Sequence, residues 1–430
     1  MGRYEEIMKR TEDFRRDRFG MFIHWGLYSV RGKHEWTKSR DRLTDKQYAK
    51  YFDAFTAEGY DPAEWAKIAV DAGMKYAVLT TKHHEGFCLF DSKYTDYKAT
   101  NTPAKRDLVK VYVEAFRAAG LKVGFYYSLL DWHHEDYPHF SDSHHPMRGN
   151  PDYTDEKRDF SRYVEYMHNQ VRELCTNYGK IDIMWFDFSY GNMSGEKWQA
   201  SKLVNLVRSL QPDIIIDNRL VCEKTKDPDD EPFYAGDFRS PEQFIPSEGL
   251  KDSAGRPLPW EACLTTQYDS WGYRADNEDF ITSGAAVRTL VDCVSKGGNL
   301  LLNVGPDGKG RIPDKAAAVL KEVGRWMKDN SESVYGCFDA GLGVPEWGRY
   351  TTDGKYLYAH IFEKTGFCTT LKGIKRDETD YALRLKDNTE VPLNTFWNQD
   401  AATEDISLSF PRATLPDEKD TVIKIVPLKK

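Results

Sequence analysis

The stretch IDIMWFDFSY, residues 181–190, contains an aspartate between two phenylalanines. Side chains alternate along an extended strand, so Trp185 and Asp187 lie on one face of it. Burying a carboxylate beside aromatic rings is costly unless the charge is paired, hydrogen-bonded or used in a reaction. Asp187 is therefore a candidate nucleophile, because a carboxylate can attack the anomeric carbon of a sugar and form a covalent intermediate.

Polar and ring-bearing side chains recur at the ends of other short apolar runs, namely RFGMFIHWG, MKYAVLTT, LKVGFYYS and DIIIDNR. An ordinary core would not place such groups repeatedly at strand ends, and their convergence predicts one shared site. Imidazole and guanidinium donors mixed with aromatic rings suit a neutral, hydroxyl-rich ligand with an apolar face, such as a sugar. The side chains are those of His24, Trp25, His83, His84, Tyr126, Ser128, Asn218 and Arg219.

The sequence between these residues predicts the strands and helices that position them. Each apolar run is flanked by an amphipathic segment; DLVKVYVEAFRAAG, for example, has apolar residues at helical spacing and ends on Gly120. Alternating strands and helices with strands buried on both faces indicate a parallel sheet. More than five such units favour a (β/α)8-like catalytic barrel, whose active site lies at the carboxyl ends of the strands.

Beyond this region the pattern changes. Runs such as KYLYAHIF, YALRLK and DTVIKIVPL are separated by Gly, Pro, Asp and Asn without helical spacing, which predicts a small C-terminal β-sandwich domain. We therefore predict a catalytic barrel domain over residues 1–338 and a β-sandwich domain over residues 339–430.

Composition excludes several classes of protein. The 430 residues carry a net charge of -8 without a basic stripe, so no nucleic-acid partner is expected. No stretch approaches the ~20 apolar residues of a membrane span, and the charged N-terminus lacks the apolar segment of a signal peptide. The 7 cysteines are scattered singly, as in a reducing compartment. We expect a cytoplasmic protein; the sequence does not indicate its oligomeric state.

The string WHHEDYPHFSDSHHP, which holds five of the 11 histidines, is the candidate for a metal site. Its histidine pairs lack the spacing of a helical zinc motif, and Pro138 and Pro146 indicate a loop. We therefore predict no metal and no other cofactor; neither a dinucleotide nor a P-loop motif is present. A metal-dependent amidohydrolase-like barrel and a non-catalytic carbohydrate-binding module remain the alternatives.

Several strings together carry a specific resemblance. RFGMFIHWGLYS, KHHEGF, GFYYSLLDW, GDFRSPEQ, WEACLTTQYDSWGY and SKGGNLLLNVGPDGKGRIP closely resemble the alpha-L-fucosidase family of retaining glycoside hydrolases, over roughly residues 10–335. The resemblance implies an irregular catalytic barrel followed by a β-sandwich, and no metal cofactor. It also implies release of terminal L-fucose from fucosylated glycans, which would be the partners of this chain.

The resemblance also implies roles for individual residues. Asp187 falls on the family's nucleophile. The sequence departs from the common family pattern at Thr37, where many members have Tyr, and at Phe188, where they often have Gly. Both positions lie near the expected pocket rim, so the sequence leaves the linkage and aglycone preference open. A related sugar, in an alpha-L-galactoside, is an alternative substrate on the same site. The positions that contact fucose in the family are matched by His24, Glu35, Trp36, His83, His84, Tyr126, Trp185 and Arg219.

The acid/base residue is chosen among glutamates after the fifth strand. Glu231 and Glu248 lie in solvated, turn-like strings. Glu261 follows Trp260 at what looks like a strand entry, away from the expected site, but it remains the alternative if that entry is instead a loop over the pocket. Glu242 lies on a loop after the fifth strand and matches the family's acid/base position. We expect its neighbours Phe238 and Phe244 to raise its pKa by desolvation.

Overall fold

The structure is a computed structural model that describes residues 2–140, 142–222, 227–364, 366, 368–394, 405–410, 412 and 414–428. Parallel strands build its amino-terminal part: β1 (Phe19–Ile23), β2 (Tyr76–Lys82), β3 (Lys122–Ser128), β4 (Ile183–Asp187), β5 (Ile215–Ile216), β6 (Glu261–Thr265) and β7 (Asn299–Val304). They form one seven-stranded sheet in the order β5-β4-β3-β2-β1-β7-β6. Each of the five apolar runs that end on polar or ring-bearing side chains contains one of these strands, β1 to β5.

Helices lie between the strands and cover the sheet. Helix starts follow ordinary capping chemistry: the Asp61 side chain accepts hydrogen bonds from the backbone N–H groups of Ala63 and Glu64 at the start of the sixth helix. The helices are α1 (Arg3–Arg10), α2 (Glu12–Asp17), α3 (Leu27–Arg31), α4 (Thr37–Arg40), α5 (Asp45–Asp53), α6 (Pro62–Asp71), α7 (Leu108–Ala118), α8 (Phe160–Asn177), α9 (Ala200–Leu210), α10 (Ser283–Ser295) and α11 (Asp314–Asn330).

An irregular segment closes the sheet into a barrel. Single parallel bridges join Asp217 to Phe238, Arg239 to Trp260 and Glu242 to Cys263, so residues 238–242 stand between β5 and β6. A glycine is required just before this segment: Gly236 has φ 88°, and a Cβ there would lie 2.2 Å from the carbonyl oxygen of Asp217. The predicted (β/α)8-like barrel is confirmed, with an eighth position that is barely strand-like.

The register of the strands brings the candidate residues together. Tyr126 pairs with Trp185 and Ser128 with Asp187 across β3 and β4. Inside the barrel these rings pack against one buried cluster that includes Phe22 from β1. Because the strands are parallel, their carboxyl ends meet at one rim, where the candidate side chains lie.

The C-terminal region is antiparallel. Its strands are β8 (Phe338–Asp339), β9 (Gly348–Thr352), β10 (Leu357–Ile361), β11 (Cys368–Lys375), β12 (Thr379–Arg384), β13 (Thr389–Glu390), β14 (Leu393–Asn394), β15 (Asp405–Ser409) and β16 (Thr421–Pro427). A six-stranded sheet (β13-β12-β16-β10-β9-β8) and a three-stranded sheet (β11-β15-β14) enclose a shared apolar core. The predicted β-sandwich is confirmed.

The sandwich packs against the barrel through α10 and α11. The indole N–H of Trp326 donates to the carbonyl oxygen of Asp420 at 3.0 Å, and the Arg288 side chain donates to the carbonyl oxygens of Phe362 and Lys419. The predicted boundary between residues 338 and 339 falls inside β8 and stays a prediction. In the described part of the chain, no helix is both long and apolar enough to span a membrane.

Candidate active site

A cavity lies at the carboxyl ends of the strands, and nine of the predicted site residues line it, whereas Trp25, Ser128 and Asn218 do not. Of the ten residues predicted to react with or contact the sugar, only Glu35 is not in its wall. The wall also contains Phe188, which the sequence places near the pocket rim, and it contains Phe22, Cys263 and Trp271, which sequence reasoning did not select. The predicted residues in the wall are His24, Trp36, His83, His84, Tyr126, Trp185, Asp187, Arg219 and Glu242.

Asp187 ends β4 and is held at both carboxylate oxygens. The Tyr126 hydroxyl donates to Oδ2 at 2.7 Å, and the Arg219 guanidinium donates to Oδ1 at 2.9 Å. Nε2 of His84 lies 3.7 Å from Oδ2. Only 10% of the side chain is exposed. This carboxylate is therefore oriented and nearly desolvated, as an attacking group requires.

Arg219 connects Asp187 to a second carboxylate. Its Nη1 atom is 2.9 Å from Oδ1 of Asp187 and 2.7 Å from Oε2 of Glu242. These two oxygens can be no farther apart than the sum of those distances, about 5.6 Å, a limit that admits the ~5–5.5 Å of a retaining glycosidase and lies below the ~6.5–9.5 Å of an inverting one. The guanidinium also stacks on Trp185, with Cζ 4.3 Å from the ring centroid.

Three buried histidines complete the inner wall as neutral rings. Burial lowers the pKa of His24 to about 3 and the pKa of His83 and His84 well below the usual value. The amide of Asn303 donates to the carbonyl oxygen of Trp271, so its Oδ1 accepts the Nδ1–H of His24 at 2.7 Å. His24 therefore keeps the lone pair of Nε2 available as an acceptor.

His83 differs from its neighbours in having an unused polar atom. Among the described residues its buried Nδ1 has no hydrogen-bond partner, whereas Nδ1 of His84 is 2.6 Å from Oγ of Ser128. A buried polar atom without a partner is costly. Neutral imidazoles with free donor or acceptor positions suit an uncharged polyhydroxyl ligand.

Phe188, directly after the nucleophile candidate, has a left-handed backbone. Its φ of 86° is unfavourable for a bulky side chain and suits glycine, which explains the glycine common at this position in the resembled family. The ring packs between Trp36, His84, His144 and Tyr190, at centroid distances from 5.2 to 5.4 Å. This aromatic packing offsets the backbone strain and places a phenyl ring at the mouth of the cavity.

Glu35 is buried next to the cavity wall and contacts a residue of that wall, Trp271. Its buried Oε2 accepts the backbone N–H groups of Trp271 at 3.1 Å and Gly272 at 2.9 Å. The structure thus places Glu35 as a support for Trp271, whose ring lies 5.0 Å from that of His24. The direct sugar contact expected of Glu35 stays a prediction.

Glu261 lies at the opposite end of the barrel, so the structure corrects its place as the alternative acid/base. It is the first residue of β6, fully buried, and accepts the hydroxyl of Tyr76, the first residue of β2. Burial raises the pKa of Glu261 to about 8. It lies at the amino-terminal ends of the strands, beneath Trp185, and does not line the cavity.

Glu242 lines the cavity, as the sequence predicts. Its side chain does not, however, have the desolvated surroundings that the sequence led us to expect. Phe238 is buried in the core against Phe14, and Phe244 is 59% exposed. The Glu242 side chain is 41% exposed and is held by Arg219. The expected enclosure by two phenylalanines is therefore wrong; one ring points into the core and the other into solvent.

The described part of the histidine-rich loop contributes aromatic packing near the cavity. The ring of His144 packs on Phe188, and His145 is buried. Within the described ranges, no group of three or more His, Cys, Asp or Glu side chains is arranged to hold a metal ion. A metal-dependent amidohydrolase needs such a cluster at its strand ends.

Two carboxylates whose nearer oxygens lie within about 5.6 Å at the carboxyl ends of a (β/α) barrel form the arrangement that a retaining glycoside hydrolase requires. The family model described as Alpha-L-fucosidase matches residues 3–332. The chain belongs to the alpha-L-fucosidase family, as the sequence motifs predict.

Known proteins that are similar to this chain are also alpha-L-fucosidases. The structure of alpha-L-fucosidase isoenzyme 1 from Paenibacillus thiaminolyticus is 52% identical, with a TM-score of 0.95, and the match covers 98% of this chain and 100% of that one. Plasma alpha-L-fucosidase of Homo sapiens is 31% identical over 75% of this chain and 68% of its own length. A Bacteroides thetaiotaomicron alpha-L-fucosidase, solved as a trapped covalent intermediate with 2-fluoro-fucosyl fluoride, is 29% identical, with a TM-score of 0.82 over 98% of this chain and 96% of that one.

Proposed function

We propose that Asp187 and Glu242 hydrolyse terminal alpha-L-fucosyl residues of fucosylated oligosaccharides by double displacement. Membership of the family makes the enzyme a retaining alpha-L-fucosidase. The observation that carries the assignment of these two residues is the contact of one Arg219 nitrogen with both carboxylates, which sets their spacing.

In the first step, a carboxylate oxygen of Asp187 forms a bond to the anomeric carbon while the bond from that carbon to the leaving oxygen breaks. The proton of Glu242 goes to the leaving oxygen. The hydroxyl of Tyr126 and the guanidinium of Arg219 hold the attacking carboxylate, so little of the barrier is spent on orienting it.

In the second step, water gives a proton to Glu242 and attacks the anomeric carbon, and the bond to Asp187 breaks. Two displacements at the same carbon return the original configuration, so the product is alpha-L-fucose. The 41% exposure of Glu242 gives water a route to this residue after the leaving group departs.

The inner wall supplies recognition. The three neutral imidazoles of His24, His83 and His84 offer donors and acceptors to sugar hydroxyls without a fixed charge. The rings of Trp185 and Trp271 supply apolar surface, as the methyl-bearing face of a 6-deoxy sugar requires.

NMR of the first-formed product tests this function. An aryl alpha-L-fucoside should give alpha-L-fucose before mutarotation, and beta-L-fucose as the first product would overturn the mechanism. Comparing kcat/KM for the matching alpha-L-galactoside tests the alternative sugar; a higher value for the galactoside would replace fucose as the preferred substrate.

A further inference from the structure

A second and wider cavity adjoins the sugar pocket. It has a volume of about 870 Å³, and we call it the outer cleft. Its walls come from the loop after β4, the segment 239–246 and the turn 250–258. Asp187, Phe188, Arg219 and Glu242 line both cavities, so the outer cleft begins at the reacting carboxylates.

The outer cleft presents apolar side chains to solvent. Phe244 is 59% exposed and is among the most exposed large apolar residues of the described chain. Leu250 and Leu258 lie in the same wall, and the exposed Lys251 lies beside them. A contiguous exposed apolar surface rimmed by polar residues marks a ligand-binding groove.

The chemistry fixes which part of the substrate meets this surface. A general acid protonates the leaving oxygen, so the leaving group has to lie on the side of Glu242 and away from the histidines. The space on that side is the outer cleft, and the ring of Phe188 separates its mouth from Trp36 and His84.

Resting on the proposed function, we infer that the outer cleft binds the leaving group of the substrate as a saccharide, with the apolar face of a pyranose on the Phe244 ring. An apolar platform flanked by charged and polar side chains suits a ring that is apolar on one face and rich in hydroxyls at its edge. Lys251 supplies donors for those hydroxyls. Phe244 is therefore a residue that determines specificity and takes no part in the bond-making steps.

The test uses Phe244→Ala with Phe338→Ala as the matched control, because Phe338 is 44% exposed and lies in β8 of the sandwich. Two substrates are compared: alpha-L-fucosyl fluoride, whose leaving group does not reach Phe244, and a panel of fucosylated lactoses of defined linkage. For each enzyme, kcat/KM for the oligosaccharide is divided by kcat/KM for the fluoride. Loss of one stacking contact should lower this ratio about 5- to 10-fold, because KM for the oligosaccharide rises. The control should keep the wild-type ratio.

An unchanged ratio in Phe244→Ala would overturn the inference. So would a wild-type enzyme that hydrolyses the fluoride but none of the fucosylated lactoses. Failure of the proposed function is distinct, since the wild type would then leave the fluoride intact. A second measurement uses free lactose as the probe: its inhibition constant against the fluoride should rise in Phe244→Ala, and an unchanged constant would also count against the outer cleft.

Discussion

Replacing Glu261 by Gln tests the structural role that the fold gives this residue. The side chain is fully buried beneath the sugar pocket, and burial raises its pKa from 4.5 to about 8. Between these pH values the folded chain keeps the proton on Glu261 while the unfolded chain releases it. The unfolded state then binds fewer protons, so the free energy of unfolding falls as the pH rises.

The magnitude follows from the size of the shift. Each pKa unit corresponds to about 1.4 kcal/mol. Integrated from pH 5 to pH 8, this one group lowers the free energy of unfolding of the wild type by about 3 to 4 kcal/mol. Gln has nearly the same shape as Glu and does not titrate. The free energy of unfolding of Glu261→Gln therefore does not include this decrease with pH. Its stability relative to the wild type should rise by that amount over the same interval.

Equilibrium urea denaturation of both proteins at pH 5, 6, 7 and 8 measures this difference. All other titrating groups are common to the two proteins and cancel. Glu278→Gln serves as a control, because that side chain is 77% exposed and should keep the wild-type pH dependence. A stability difference between wild type and Glu261→Gln that stays constant within about 1 kcal/mol from pH 5 to pH 8 would refute the reasoning.

Three further predictions concern catalysis and recognition. Asp187→Gly should lose at least about 1,000-fold in kcat, and azide should restore part of it as beta-L-fucosyl azide; near-wild-type turnover would end the nucleophile assignment. Glu242→Ala should keep far more activity on a fucoside with a good aryl leaving group than on an oligosaccharide, and azide should give alpha-L-fucosyl azide. The same pattern in Glu261→Ala instead would reverse the acid/base assignment. His83→Ala and His84→Ala should each weaken binding of a fucose-like inhibitor by about 5- to 150-fold; unchanged affinity with a lower Tm would assign both to bracing the loop.

Most of the barrel was predictable because its signals are local. Apolar runs that end on polar or aromatic groups identify strands and their carboxyl ends without any knowledge of their partners. The alternation of side chains places Trp185 and Asp187 on one face, and the register of β3 and β4 brings Tyr126 and Ser128 beside them.

The features of the fold and site that the sequence did not predict depend on contacts between distant parts of the chain. The segment 238–242 closes the barrel through single bridges and has no strand pattern of its own. The environment of Glu242 therefore could not be read from its neighbours: Phe238 turns into the core and Phe244 into solvent. Trp271 was missed because Glu35, far from it in sequence, positions its loop. A signal was present in the string DSWGY, which is part of a stretch that resembles the family.

The assignment of Asp187 as nucleophile is tested most directly by trapping the covalent intermediate. The enzyme is inactivated with 2-deoxy-2-fluoro-fucosyl fluoride, digested with trypsin and sequenced by tandem mass spectrometry. The fluorofucosyl group should appear on the peptide of residues 181–197, which trypsin releases by cleaving after Lys180 and after Lys197. Fragmentation of this peptide should place the group on Asp187 and not on Asp182. An adduct on Glu242 or any other side chain, or inactivation without a covalent adduct, would contradict the account.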